Sequence, residues 1–271
     1  MIWGKNEEIE VEYPFFITTV CSGYSRKFEA DYDFQGEYHD FWEFVCVLDG
    51  EIEVVEDSRV YRLGAGNFIA HAPMEFHRIK SAGDTCPHVL NVSFRHSGNL
   101  PDKLSDGVFF LTTSELEEFE NITVSVIEAY YNGKEADQTA GSETVFRICN
   151  FILALMRRHT PHATFFSSKS ATEYRALIKT MKENINNNLS LEELAAISAI
   201  SVSTAKVLFR TYAGIGPKAY YSNLRAIEAM NLLKEGKSVE EVSTILNFSS
   251  VNYFSLFFKK HFGNPPSHYK K

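Results

Sequence analysis

Ser190-Leu-Glu-Glu-Leu194 returns 48 residues later as Ser238-Val-Glu-Glu-Val242. In each copy a serine stands three residues ahead of a glutamate, the pair whose side chains satisfy orphan amides at a helix start. Apolar spacing predicts a short helix through Leu194, Ala195 and Ile197, a break near Ala199, and a second helix from Ser201 through Lys206, Phe209 and Arg210. The second copy follows the same plan: Val242, Ile245 and Leu246, a break at Asn247-Phe248-Ser249, and a resumed helix from Ser250 through Phe254, Phe257 and Phe258. Phe209 and Gly214 recur as Phe258 and Gly263 at an offset of 49, so the second turn holds one inserted residue. A repeat of this period denotes a duplicated structural unit. Short helix, tight turn, longer helix is the helix-turn-helix plan.

Upstream the rhythm is different. From Phe15 to about Phe94 the chain runs in short segments rich in Val, Ile, Phe and Tyr, broken by Gly, Asp and Pro every ten residues or so, which predicts strands. Glu43 to Leu48, the turn Asp49-Gly50 and the alternating Glu51 to Val55 make a hairpin. Leu63-Gly64-Ala65-Gly66 is a second turn and Asn67 to Ala70 a further strand, with a sandwich or barrel as the natural closure. From Thr113 the apolar residues Leu116, Phe119, Ile122, Val126, Ile127 and Tyr130 take helical spacing, and Val145, Ile148, Ile152 and Leu155 do so again. His159 to Ala171 has no period. The fold class is therefore α+β, divided as a strand-rich barrel over 1–110, a helical pair over 111–160, a linker over 161–171 and an all-α region over 172–271, whose two units are joined by a linking helix.

The net charge of −8 argues against a nucleic-acid partner until it is divided. Met1 to Ala171 carries 14 Lys+Arg against 27 Asp+Glu, whereas Thr172 to Lys271 carries 13 against 8. An acidic body with a basic tail suits a DNA-binding module joined to a partner that does not bind DNA, because phosphate contacts need local positive charge. Hydrophobic content of 44% and charged content of 23% are ordinary for a globular protein and suggest neither disorder nor a membrane protein. The charged start MIWGKNEEIE lacks a signal peptide's apolar core, so a cytoplasmic location is expected. Cys21, Cys46, Cys86 and Cys149 have no zinc-finger spacing and read as free, mostly buried thiols.

The run Ser190 to Gly214, the stretch Pro217 to Gly236 with Tyr220, Arg225 and Ala229, and Phe254-Ser-Leu-Phe-Phe-Lys-Lys-His-Phe-Gly-Asn-Pro-Pro-Ser-His-Tyr269 resemble the DNA-binding domain of the AraC/XylS regulators over about 100 residues. The resemblance implies double-stranded DNA as partner. Two positions where the family usually carries a base-reading arginine match Val207 and Leu256, neither of which can hydrogen-bond a base. Ser203, Thr204, Lys206, Val251, Asn252 and Ser255 are left as groove-facing residues. Arg210, Lys218, Lys259 and Lys260 are left for phosphates. The expected readout leans toward A·T. The glycine that commonly precedes Phe248 in the family is Asn247, which also enters the left-handed region.

His39-Asp-Phe-Trp-Glu43 followed by Gly50 resembles the first cupin motif, and Gly66, Pro73 and His77 the second. If 39–43 is a strand, His39, Phe41 and Glu43 share one face, with His77 on a facing strand. The resemblance implies three histidines and a glutamate around a metal, and Phe41 stands where one histidine belongs. No metal or cofactor is assigned. His39, Phe41, Glu43 and His77 are read as lining a pocket for a small effector, with Tyr38, Phe41 and Trp42 suited to a sugar or other neutral ring. The helical pair sits where related regulators place a dimer interface, so a homodimer is expected, with RNA polymerase as an additional candidate partner and no membrane. The function these features imply is a DNA-binding, effector-responsive transcription regulator and no enzyme. The rival readings are a metal-dependent cupin enzyme with a vestigial DNA-binding domain, and a partner-binding module built on the helical pair.

Overall fold

The computed structural model describes residues 14–131, 138–161 and 168–269. Eight strands form two antiparallel sheets: β1 (Phe15–Lys27), β7 (His88–Gly98), β2 (Trp42–Asp49), β5 (Asn67–His71) and β8 (Val108–Phe110), in that order, face a sheet of β4 (Arg59–Gly64), β3 (Glu51–Glu56) and β6 (His77–Ala82). The predicted hairpin is β2–β3, but its two strands fall in opposite sheets. Between the sheets Val45, Val47, Ile52, Val54 and Ile69 make the interior of a cupin-like barrel. The long apolar run of β2 is explained by burial on both faces: Trp42, Phe44 and Cys46 point outward, yet they too are covered.

Their cover is the predicted helical pair, α1 (Thr113–Tyr131) and α2 (Gln138–Arg158). Phe119 and Phe151 meet Phe68 at ring separations of 5.3 and 5.7 Å, so one aromatic core joins sheet and helices. Deleting one such ring costs about 3–5 kcal/mol.

The remaining helices are α3 (Lys169–Glu183), α4 (Leu191–Ile197), α5 (Val202–Tyr212), α6 (Pro217–Lys234), α7 (Val239–Ile245) and α8 (Val251–Phe262). α3 starts behind a Ser168 cap that accepts from Ala171 N, so residues 169–171, assigned to the linker, are helical. Residues 162–167 of that linker and the charged start 1–10 lie outside the described residues. No single helix among the described residues is long and apolar enough to cross a membrane.

Of the cysteines, all four are free, but only Cys46 is buried; Cys86 is exposed and Cys21 and Cys149 are intermediate. Their surroundings follow strand phase and loop position, which apolar composition does not report.

The two halves are not merely tethered. Val55, Val60 and Phe76 of the barrel enter the core of α3, α5 and α6, where Phe76 meets Tyr220 at 5.1 Å. Asp57 accepts from Lys182 Nζ at 2.8 Å and Tyr220 OH at 3.1 Å. By contrast Val242, Leu246, Phe254 and Phe258 pack with α6 in a separate core. Among the described residues, the first helical unit shares a core with the barrel and the second does not.

Candidate nucleic-acid interface and barrel cavity

Both capping boxes are formed: Ser190 Oγ accepts from Glu193 N and Ser238 Oγ from Glu241 N, with each glutamate returning to its serine amide. The turns pass through Ala199 (φ 54°) and Asn247 (φ 52°), left-handed as expected for Asn247. α4 and α5 cross at 93°, within the range of a helix-turn-helix. Ser201 and Ser250 cap the longer helices by accepting from Thr204 N and Tyr253 N.

On α5, Ala205, Leu208, Phe209 and Tyr212 are buried, which turns Ser203, Lys206, Val207 and Arg210 outward along one stripe. The same positions on α8, 49 residues on, are Asn252, Ser255, Leu256 and Lys259, opposite buried Phe254 and Phe258. Val207 is 62% and Leu256 70% exposed, so neither serves a core. Arg210, Lys259 and Lys260 are exposed near the helix ends, and Val251, Thr204 and Ser255 are half-buried. Thr204 Oγ1 lies 2.8 Å from Ser201 Oγ, a contact within the cap. Tyr253 is 55% exposed beside Asn252 in the first turn of α8; its aromatic character points to the core, and only the helix phase shows otherwise.

Arg225 of α6 joins the units. Its guanidinium donates to Asn188 Oδ1 ahead of α4 and to Leu246 O after α7, and lies over the Phe248 ring at 4.5 Å.

In the barrel, β2 begins at Trp42, so residues 39–43 are not one strand. The backbone bends at Asp40 and Phe41, and His39 Nδ1 lies 2.8 Å from Phe41 O. His39 therefore stacks on Phe41 at 3.9 Å rather than alternating with it. The shifted phase also removes two expected pocket aromatics. Trp42 lies in the core under the helical pair, and Tyr38 packs on Phe76 and Tyr220 between the halves. A cavity of about 240 Å³ remains, lined by Tyr24, Phe28, Phe41, Glu37, Glu43 and His77 among others. His39 borders a separate cleft between the barrel, α6 and the end of α8, yet its Nε2 lies 3.6 Å from Glu43 Oε2.

Glu43 is the centre of the polar wall: Asn91 Nδ2 donates to its Oε1 at 2.5 Å and His77 Nε2 lies 2.8 Å from its Oε2. Burial would raise its carboxyl, but the imidazoles of His39 and His77 outweigh burial and hold it below the usual range. His77 is opposed by burial and raised overall by Glu43. Behind it the His71 ring stacks at 4.2 Å, and His71 Nδ1 lies 3.0 Å from Glu56 Oε1. Burial and the neighbouring His77 depress His71 to about 3, and burial lifts Glu56 to about 7. His71 and Glu56 were not singled out in the sequence, because nothing in their spacing joins them to His77.

The cupin resemblance raises the question of a metal. Donor atoms of Glu37, His39, Glu43 and His77 lie within 4.8 Å of one another. His39 Nδ1 and His77 Nδ1 face the carbonyls of Phe41 and Glu75, which leaves each Nε2 turned to Glu43. That is the orientation a metal-bound histidine takes. The set fits a divalent transition ion, with Glu37 making up the ligand number that Phe41 takes away.

A cupin-domain family model matches residues 27–93 and a helix-turn-helix family model residues 194–271. The transcriptional activator RhaR of Enterobacter sp. is 25% identical over 243 residues, covering 84% of each chain. In both parts the chain is similar to transcription regulators of the AraC/XylS type. Within the AraC/XylS proteins, the regulator GbdR of Pseudomonas aeruginosa is 34% identical over 91 residues, 33% of this chain and 25% of GbdR. The chain thus spans about a quarter of that relative's length. Apo ToxT from Vibrio cholerae is a structural neighbour with a TM-score of 0.38, 14% identity, and coverage of 96% of this chain and 98% of ToxT.

Proposed function

We propose that this protein is a sequence-specific, DNA-binding transcription regulator that responds to a small effector in its barrel. One observation carries the reading: two helix-turn-helix units present the same outward stripe at an offset of 49 residues, Ser203, Lys206, Val207 and Arg210 on one and Asn252, Ser255, Leu256 and Lys259 on the other. These residues, with Thr204, Val251 and Lys260, meet duplex DNA. Asn252 and Lys206 can hydrogen-bond base edges, while Val207, Val251 and Leu256 offer apolar contact to thymine methyl groups. Arg210, Lys259 and Lys260 neutralise phosphates.

The effector meets Phe41, Glu43 and His77 at the cavity wall, with His39 behind Glu43. At about 240 Å³ the cavity lies below the roughly 300–1,000 Å³ of common ligand pockets, which limits the effector to a monosaccharide or smaller. Two subunits pair through α1 and α2, where Phe146 and Leu153 are exposed. The protein acts in the cytoplasm, with RNA polymerase as an additional partner, and no catalytic activity is assigned. A mobility shift of the full chain on fragments upstream of its own gene tests the reading. Binding that weakens steeply with salt is expected from counterion release, and no shift at micromolar protein and low salt overturns it.

One observation favours a second reading of the cavity, the convergence of Glu37, His39, Glu43 and His77. A resident divalent ion held by these residues would supply a Lewis-acid anchor for the effector. Elemental analysis of the purified chain, alone and as Glu43→Gln, tests it: a stoichiometric ion lost in the variant supports the reading, and an ion-free wild type ends it.

A further inference from the structure

Strand β6 lines the barrel cavity with one face and meets the first helix-turn-helix unit with the other. A strand sends alternate side chains to opposite faces. His77 and Ile79 line the cavity. Phe76 and Arg78 face the helical half, Phe76 in its core and Arg78 at the end of α5.

Arg78 is buried, and its guanidinium is fully engaged. Nη2 and Nε donate to the Asp33 carboxylate, with both Nη2 contacts under 2.8 Å, and Nε also reaches Phe34 O at 3.0 Å. Nη1 crosses to the other half and donates to Thr211 O at 2.6 Å and Tyr212 O at 2.9 Å. Those are carbonyls of the last turn of α5, which have no partner within the helix. A cation at a helix C-terminus is also favoured by the helix dipole. The barrel thus supplies the C-terminal cap of the first reading helix.

The repeat provides an internal control. In the second unit the end of α8 is covered by the chain's own Tyr269, whose hydroxyl donates to Phe262 O at 3.2 Å. A Cβ added at Gly214 would meet Gln35 O at 3.0 Å and Arg78 Nε at 3.2 Å, while one at Gly263 would meet nothing within 4 Å. Arg78 grips the end of α5, whereas the end of α8 faces the barrel across the cleft that His39 borders.

We propose that Arg78 is a positioning residue for the first recognition helix, and that its neighbour His77 makes this grip respond to what fills the cavity. The inference rests on the reading of α5 as a DNA-reading helix and of the cavity as the effector site. The path is short. Anything that displaces His77 from Glu43 moves the β6 backbone that carries Arg78, and so changes how α5 is held while α8 is left alone.

Hydrogen exchange on the full chain tests the coupling without DNA or effector. In Arg78→Met, exchange across residues 209–216 should rise about tenfold or more, the loss of two charge-assisted hydrogen bonds, with residues 258–265 unchanged. Arg78→Lys, which keeps the charge without the fork, should fall between. Glu43→Gln should raise exchange across 209–216 as well, and that rise should vanish in the Arg78→Met background, as two coupled sites require. A variant that simply fails to fold is recognised by exchange rising in β2 and β7 too, and Arg78→Lys then carries the test. The inference is overturned if Glu43→Gln leaves 209–216 unchanged, if its effect persists in Arg78→Met, or if both units loosen equally. A second arm selects binding sites from a randomised duplex pool: Arg78→Met should lose sequence preference in one block of the site and keep it in the other, and equal loss in both overturns the inference. If the wild type enriches no sequence, it is the regulator reading that fails, and the exchange arm still decides the role of Arg78.

Discussion

Gly214 and Arg78 touch where the two halves meet, and the touch requires a residue without a Cβ. Gly214 has φ +70°, and a side chain there would press on Gln35 O and Arg78 Nε. Gly263, its partner in the repeat, has φ +78° and open space around it. Gly263→Ala should therefore lose only the left-handed penalty, about 1 kcal/mol. Gly214→Ala carries the same penalty plus the cost of parting the halves, for a total of about 2–3 kcal/mol. Urea unfolding of the two variants compares them directly, and equal losses would mean that the contact at 214 contributes nothing.

Arg225 holds the two units at a fixed separation by bonding Asn188 and the Leu246 carbonyl at once. Arg225→Lys keeps the charge but cannot span both acceptors. It should lose about 1–3 kcal/mol of stability by leaving a buried acceptor unsatisfied, and should weaken binding to a selected duplex because the reading helices lose their spacing. Paired measurements of urea midpoint and Kd check this. A variant as stable and as tight as wild type would show that the bridge is idle.

What was legible in the sequence was local. Ser190 with Glu193 and Ser238 with Glu241 announce helix starts because a capping box acts across three residues, and buried Phe209 and Phe258 keep a helical phase that a reader can count. The barrel's strands were legible by composition, but the phase of β2 was not: its strand begins at Trp42, and the bend at Asp40 moved Tyr38 and Trp42 out of the expected pocket. Glu37, the His71–Glu56 pair and the Arg78 clamp were invisible for a different reason. Arg78 and Tyr212 are 134 residues apart, and no periodicity encodes a contact at that separation.

Asn252, proposed to reach a base edge, stands exposed in the first turn of α8, and Lys259 stands two turns on. Asn252→Ala should lose roughly 1–3 kcal/mol against the preferred site with non-specific binding almost unchanged. Lys259→Ala should weaken all sequences about equally and flatten the salt slope by roughly one unit. Titrations of each variant on preferred and scrambled duplexes at several salt concentrations separate the two behaviours. An Asn252→Ala protein with the wild-type consensus and affinity would put α8 outside the groove.

Glu115 pins the start of α1 to the end of α2. Its carboxylate accepts from Thr112 N and Oγ1, each at 2.8 Å, and lies 2.9 Å from His159 Nε2. Burial opposes the charge, but the Thr112 amide, His159 and the Thr112 hydroxyl together lower the Glu115 pKa. A carboxyl depressed in the folded state contributes stability that is present above its unfolded value, about 4.3, and lost as pH falls through the folded value. Glu115→Gln should therefore be less stable than wild type by about 1–3 kcal/mol at pH 7, with the gap closing below about pH 4. Unfolding curves from pH 3 to 8 test this, and a gap that stays constant with pH would contradict it.

The central claim is that the two matched stripes on α5 and α8 read duplex DNA, and selection from a pool of randomised duplexes by the full wild-type chain tests it most directly. The account predicts an enriched site of two short A·T-leaning blocks about one helical turn, or ~10 bp, apart, without the paired guanines that arginines at 207 and 256 would choose. Val207→Arg with Leu256→Arg should bring guanine into one position of each block. A pool that emerges unchanged at micromolar protein and low salt would contradict the claim.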